Sequence, residues 1–175
     1  MENFTSLIIN RRSTRRFTGQ ALSPEQAASI LKAALTAPSS KGARSWQFVA
    51  VEDKNMLKQL AGCKKAGSAF IEHCAVAVVV TGDTAETDAW IEDAAVASIY
   101  MQLQAEDLGL GSCWCQVRNR LTGDRADAEQ YVRDLLGIPS RFGVLSIIGI
   151  GHREQSCRPV DETQLPWEKV HAGSW

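Results

Sequence analysis

Residues 10 to 16 read NRRSTRR. Arg11, Arg12, Arg15 and Arg16 bracket Ser13 and Thr14 in a chain whose net charge is only −1. A phosphate monoester carries about −1.5 to −2 charge near neutral pH and three strong acceptor oxygens. Guanidinium forks meet such oxygens in bidentate geometry, and a serine hydroxyl adds a further donor. The segment therefore reads as an anion clamp. On composition alone it also reads as a solvated basic turn.

The other reactive side chains do not assemble into a catalytic pattern. Cys63, Cys74, Cys113, Cys115 and Cys157 are odd in number, and no secretory signal accompanies them, which argues against a disulfide framework. Cys113 and Cys115 form a C-x-C pair rather than the C-x₂-C of zinc knuckles, so no metal site is expected and the thiols are read as small apolar packing groups. His73, His152 and His171 show no spacing that supports a Ser–His triad. GLGSC (109 to 113) follows a helix, and GIGHRE (149 to 154) leads to Pro159 rather than a helix, so neither has the context of a dinucleotide-binding loop.

The elements that must carry these residues punctuate themselves. Residues 3 to 10 read as a short helix capped by Asn3. Ser23, Pro24 and Gln26 announce a second helix with a capping box, stopped by Pro38. Strands are expected at 47 to 52, 74 to 82, 111 to 117 and 143 to 151, with helices near 54 to 61, 88 to 108 and 127 to 136, the last closed by Gly137. The continuous valine-rich run CAVAVVVTG fits a central strand buried on both faces. The 88 to 108 helix is apolar or small nearly all round, which asks for burial on most sides and points to a subunit interface. The tail from 152 to 175, with Pro166, Trp167 and Trp175, is too apolar to dangle. Helix–strand alternation without hairpin signals suggests a three-layer α/β or α+β domain, and 175 residues suit one domain. Balanced charge gives no reason to expect nucleic acid. No apolar run reaches the roughly 18 residues of a membrane span, and with no signal peptide in view a cytoplasmic protein is expected.

Four segments, in order, resemble the nitroreductase family of FMN-dependent NAD(P)H oxidoreductases. RRSTRRF is similar to the R-R-S-x-R-x-F signature that opens the family. APSSKGARSWQFVAVED (37 to 53) is similar to its A-P-S turn and following strand. WIEDAAVASIYMQLQAEDLGLGSCW (90 to 114) looks like its central helix and Gly-rich turn, and GVLSIIGIGH (143 to 152) like its last core strand. The likeness runs from about residue 4 to residue 170.

The resemblance implies an α+β fold with a mixed central sheet flanked by helices in three layers. It implies a single domain over 1 to 175 whose tail, about 152 to 175, packs on a partner subunit. It further implies a homodimer with FMN at the interface. Arg11, Arg12, Ser13 and Arg15 would hold the FMN phosphate and ribityl chain, with Arg16 outside the pattern. Pro38, Ser39 and Ser40 would lie against the ring of the other subunit's flavin, and Cys113 and Trp114 would line it. Gly151, Arg153 and Arg158 are candidates for a second reach to the phosphate. The implied reaction is hydride transfer from NAD(P)H through FMN to a nitroaromatic, quinone or similar planar acceptor by a ping-pong route. The cofactor carries that chemistry, so no side-chain nucleophile is required. One departure stands out. Many members carry Asn and then Gln-Pro-Trp after the A-P-S turn, where this chain has KGARSW. Gly42 and Ser45 thus replace pocket-shaping side chains, and Lys41 and Arg44 are either rim charges or solvated ones. Two alternatives remain open: a flavin-binding protein without turnover, and an interaction domain whose arginines dock a phosphorylated partner.

Overall fold

The computed structural model describes residues 3 to 175. Along the chain run α1 (Phe4–Asn10), α2 (Pro24–Leu35), β1 (Trp46–Val51), α3 (Lys54–Ala61), β2 (Val76–Asp83), α4 (Trp90–Asp107), β3 (Gly111–Gln116), α5 (Ala128–Leu136) and β4 (Phe142–Gly151). The helix boundaries follow local chemistry. Asn3 accepts the Ser6 N–H, and Ser23 and Gln26 complete both halves of the capping box ahead of α2. Asp53 and Asp127 cap α3 and α5 by accepting the Met56 and Gln130 N–H, and Gly137 closes α5 at φ 66°, a left-handed conformation that glycine adopts without a Cβ penalty. β2 begins two residues later than the sequence suggests. Residues Ala69–His73 form a 3₁₀ turn, and Cys74 closes it by donating from both its N–H and its Sγ to the Ile71 carbonyl.

The strands pair in the order β1-β2-β4-β3, antiparallel at every junction. The mixed character expected of the sheet is confined to one parallel bridge, Ser13 to Ser112. Strand direction was not legible from the sequence because every connection is filled by a helix, and a long connection permits either direction. β4 is buried along its whole length and β2 along all but its last residue. Side-chain alternation divides the core. Ala77, Val79, Ile147, Cys113 and Cys115 pack toward α3 and α5. Val76, Val78, Val80, Ile148 and Ile150 pack toward α2 and α4. The result is three layers, as expected.

α4 is the spine of the second face. Ala94, Ala97, Ser98, Met101 and Ala105 are buried, and their small size lets the helix lie close to the sheet and to α2. Its remaining face is not covered. Ile99 and Tyr100 are each 38% exposed and, with Phe4, Leu7, Ile8 and Leu103, line a groove of about 1010 Å³ between α1, α2 and α4. The tail also leaves apolar surface in water: Trp167 is 70% exposed, and Leu165, Val170 and Trp175 are exposed too.

Candidate functional site

The arginine segment is stitched onto one end of the sheet. β3 starts at Gly111 and β4 ends at its partner Gly151, so both strands present an end at the same place. Thr14 N–H donates to the Ser112 carbonyl at 2.9 Å, Thr18 N–H to the His152 carbonyl at 2.9 Å, and Glu154 N–H to the Arg16 carbonyl at 3.2 Å. Thr14 and Phe17 are buried, whereas Arg12, Ser13, Arg15 and Arg16 are exposed. The Thr14 side chain lies against bare backbone: a Cβ on Gly111 would stand 2.6 Å from Thr14 Cγ2. Phe17 enters the core beside Phe70, with ring centroids 6.5 Å apart. Two buried anchors therefore fix a segment that presents Arg12, Arg15 and Arg16 to the outside. Arg11 is half-buried and its Nη1 lies 3.5 Å from Gln102 Oε1 on α4. Among the described residues none of the four arginines forms an ion pair.

The tail returns to this segment, as the choice of Arg158 among the candidates for a second reach to the phosphate requires. Val160 N–H donates to the Ile9 carbonyl at 3.0 Å, and Cys157 Sγ lies 3.8 Å from Thr14 Oγ1. Arg158 is held between these two contacts and is exposed, so it joins the neighbourhood of Arg11 to Arg15. Arg153 has a different place. Its Nη2 is 2.9 Å from Glu106 Oε2 and also donates to the Leu110 carbonyl, so it braces the end of β4 against the α4–β3 turn. Gly151 is packed rather than open: a Cβ there would stand 3.0 Å from the Ala75 nitrogen and 3.2 Å from the Phe17 ring.

On β3, Cys113 and Trp114 face opposite ways. Cys113 is buried behind the arginine segment. Burial raises its thiol pKa, and the nearby Arg15 and Ser13 only partly oppose that. Burial likewise pushes Cys74 up to about 12. Trp114 is half-exposed on the other face. Its Nε1 donates to Gln116 Oε1 at 3.0 Å, and Gln116 Nε2 donates to the Arg118 carbonyl at 3.1 Å. Gln102 and Gln116 are site-neighbouring residues that sequence reasoning passed over. Gln102 had a signal, as a polar side chain inside the apolar run AAVASIYMQLQA.

The Pro38–Ser39–Ser40 turn lies elsewhere. Ser40 N–H donates to Asp93 Oδ1 at 2.7 Å, and Arg44 N–H donates to Ser39 Oγ at 2.9 Å. Behind the turn, Trp46 packs on Ala37 and Ala97 and stacks on Phe48 at 5.3 Å. The turn is thus tied to α4 at Asp93, while Arg11 meets α4 at Gln102. At about 1.5 Å rise per residue these stations are about 14 Å apart along the helix. The arginine cluster, Ser13 and Arg158 come together in one chain; the Pro38–Ser40 turn does not join them.

Comparison with known proteins is consistent in kind. The Nitroreductase family model matches residues 8–66 and 61–152. A protein of Archaeoglobus fulgidus that bears the provisional name NADH dehydrogenase/NAD(P)H nitroreductase is 31% identical over the whole of both chains. An NADPH-flavin oxidoreductase of Vibrio harveyi is 30% identical over 95% of this chain and 71% of its own length. Among solved structures, an FMN-dependent nitroreductase from Clostridium difficile R20291 superimposes with a TM-score of 0.95 at 42% identity, covering 98% of this chain and all of its own.

Proposed function

The chain belongs to the nitroreductase family, and we propose from that premise how its residues serve an FMN-dependent NAD(P)H oxidoreductase. The observation that carries the reading is the cluster of Arg11, Arg12, Arg15 and Arg158 around Ser13, which has no acid to neutralise it among the described residues. The FMN phosphate supplies the missing anion. The donor set fits it: guanidinium forks and a hydroxyl on a segment held still by Thr14 and Phe17. Bound FMN would supply the redox chemistry, accepting a hydride from NAD(P)H and passing electrons to a nitroaromatic, quinone or similar planar acceptor in turn. Trp114, on the half-exposed face of β3, borders the place where the ring would extend from the phosphate. Buried Cys113 stands behind the clamp and takes no part as a thiolate, since its thiol pKa is raised.

A homodimer completes the site. The clamp and the Pro38–Ser40 turn lie at different stations of α4, so the turn of one subunit would serve the flavin held by the clamp of the other. The uncovered apolar groove between α1, α2 and α4, and the exposed tail with Trp167, are the surfaces a second copy would bury. No helix among the described residues is long and apolar enough to cross a membrane.

The test is direct. Protein purified with its cofactor should be yellow, release FMN on heating, and consume NAD(P)H when a quinone is added, with parallel double-reciprocal lines. A colourless protein that neither binds added FMN nor oxidises NAD(P)H in its presence would overturn the reading. FMN binding without NAD(P)H consumption would leave a flavin carrier instead.

A further inference from the structure

The turn between α2 and β1 is held in a conformation its sequence does not favour. Lys41 has φ 51°, Gly42 φ 70° and Arg44 φ 52°. Left-handed backbone at two non-glycine residues within four positions costs free energy, and persists only where surrounding contacts over-determine it. Within the turn, Gly42 N–H and Ala43 N–H donate to the Ser39 and Ser40 carbonyls, and Arg44 N–H to Ser39 Oγ. These bonds join the turn to itself. The side-chain bond that fastens it to the body of the protein is the 2.7 Å one from Ser40 N–H to Asp93 Oδ1 on α4. Asp93 is only 5% exposed, and its second oxygen, Oδ2, is buried with no partner in the chain. Two more polar atoms beside the turn, Ser45 Oγ and Trp46 Nε1, are buried and unpartnered as well. A carboxyl group placed in an apolar layer with one oxygen unsatisfied is costly to keep there. Asp93 stands in the first turn of α4, where the helix dipole favours a carboxylate, but its neighbours on the helix, Trp90, Ala94 and Ala97, offer Oδ2 no partner.

We infer that Asp93 is the positioning residue of the Pro38–Ser40 turn: its carboxyl holds the Ser40 backbone, and through it the strained 41 to 44 segment, in the shape that meets the flavin ring. This rests on the proposed function for the identity of what the turn meets, but not for the tether itself. Lys41 and Arg44 are carried to their exposed places by the same anchor, so Asp93 also sets where those two charges stand. Transfer between stacked partners is sensitive to placement, and a displacement of about 1 Å can cost a hundredfold in rate. A positioning residue 2.7 Å from the turn can therefore govern turnover without touching the reactants.

The experiment compares Asp93→Ala, Asp93→Ser and Asp93→Asn in the full-length, FMN-loaded protein. Ala and Ser remove the acceptor or leave it too short to reach Ser40; Asn keeps an oxygen at the right distance. Lys41 and Arg44 give a local readout, because trypsin cleaves after each and the exposed turn resists only while it is held. Cleavage there should accelerate at least tenfold in the Ala and Ser variants and stay within about threefold of the parent in Asn, with other sites unchanged. In the same variants kcat should fall at least tenfold while KM for NAD(P)H changes less, the flavin absorption band should shift, and Asn should restore both. Unchanged cleavage at Lys41 and Arg44 in the Ala and Ser variants would overturn the tether. Faster cleavage with unaltered kcat and flavin spectrum would overturn the positioning role. Failure of the functional reading looks different, since the parent itself would then hold no FMN.

Discussion

The two halves of the proposed flavin site are built on opposite physical plans. The arginine segment is pinned by burial: Thr14 presses onto the bare backbone of Gly111, Phe17 enters the core, and three backbone hydrogen bonds join it to β3 and the chain beyond β4. Its backbone is free to be ordinary, and its cost is like charge brought together. The Pro38–Ser40 turn buries little. It carries left-handed residues at 41, 42 and 44 and leans on one hydrogen bond to Asp93. The first half stores its tension as charge, which an anion relieves. The second stores it as backbone strain, which only a fixed anchor can hold. On the proposed reading one half grips a ligand and the other keeps a shape.

The largest expected effect comes from removing the chain that closes the first half. Deletion of residues 160 to 175 takes away the Val160–Ile9 bond and the exposed Trp167. Dimer and bound FMN should be lost together, as read by light scattering and flavin-to-protein ratio. A monomer that keeps stoichiometric FMN on dilution would break the idea that the two halves belong to different subunits.

Next come the charges. Arg11→Ala or Arg15→Ala should each weaken FMN binding roughly ten- to a hundredfold, since charge-assisted hydrogen bonds contribute about 1.5 to 3 kcal/mol and each decade is about 1.4 kcal/mol. Arg158→Ala should behave alike, and Arg16→Ala should do least. Riboflavin, which lacks the phosphate, should bind all variants nearly as well as the parent. Equal losses for both ligands in titration would mean that the arginines serve the fold.

A pair of glycine substitutions sharpens the contrast. Gly111→Ala puts a methyl 2.6 Å from Thr14 and should destabilise by about 1 to 3 kcal/mol in denaturant melts, with FMN affinity falling as the clamp is pushed off β3. Gly42→Ala meets open space but keeps φ +70°, so its cost, about 1 kcal/mol, should be backbone strain alone and should leave phosphate binding untouched. Identical profiles for the two would erase the distinction between a packed half and a strained one.

The smallest effects are expected at the thiols. Cys113→Ser and Cys115→Ser should leave flavin content and turnover within a few-fold of the parent, because both sulfurs are buried in the core layer. Loss of all hydride transfer in either variant would reveal a thiol role and reopen the assignment of β3.

Much of this protein is written locally. Caps and stops at Asn3, Ser23, Gln26 and Gly137 place helices within a residue or two because they act through hydrogen bonds and φ angles inside one turn of chain. Valine and isoleucine runs mark β2 and β4 as central because only a doubly covered strand can bury both of its faces. The density of arginine around Ser13 is visible as charge before any fold is known. What tertiary structure alone decided are the long-range meetings: that Cys157 returns to Thr14 while Arg153 is engaged by Glu106, that Gly111 makes room for Thr14, and that Asp93 holds Ser40. The two members of each such pair lie from 47 to 143 residues apart in sequence. The antiparallel sheet is of the same kind, because a helix-length connection leaves strand direction open until the layers pack. Local chemistry sets where the chain turns; only the packed core sets which distant side chains share a neighbour.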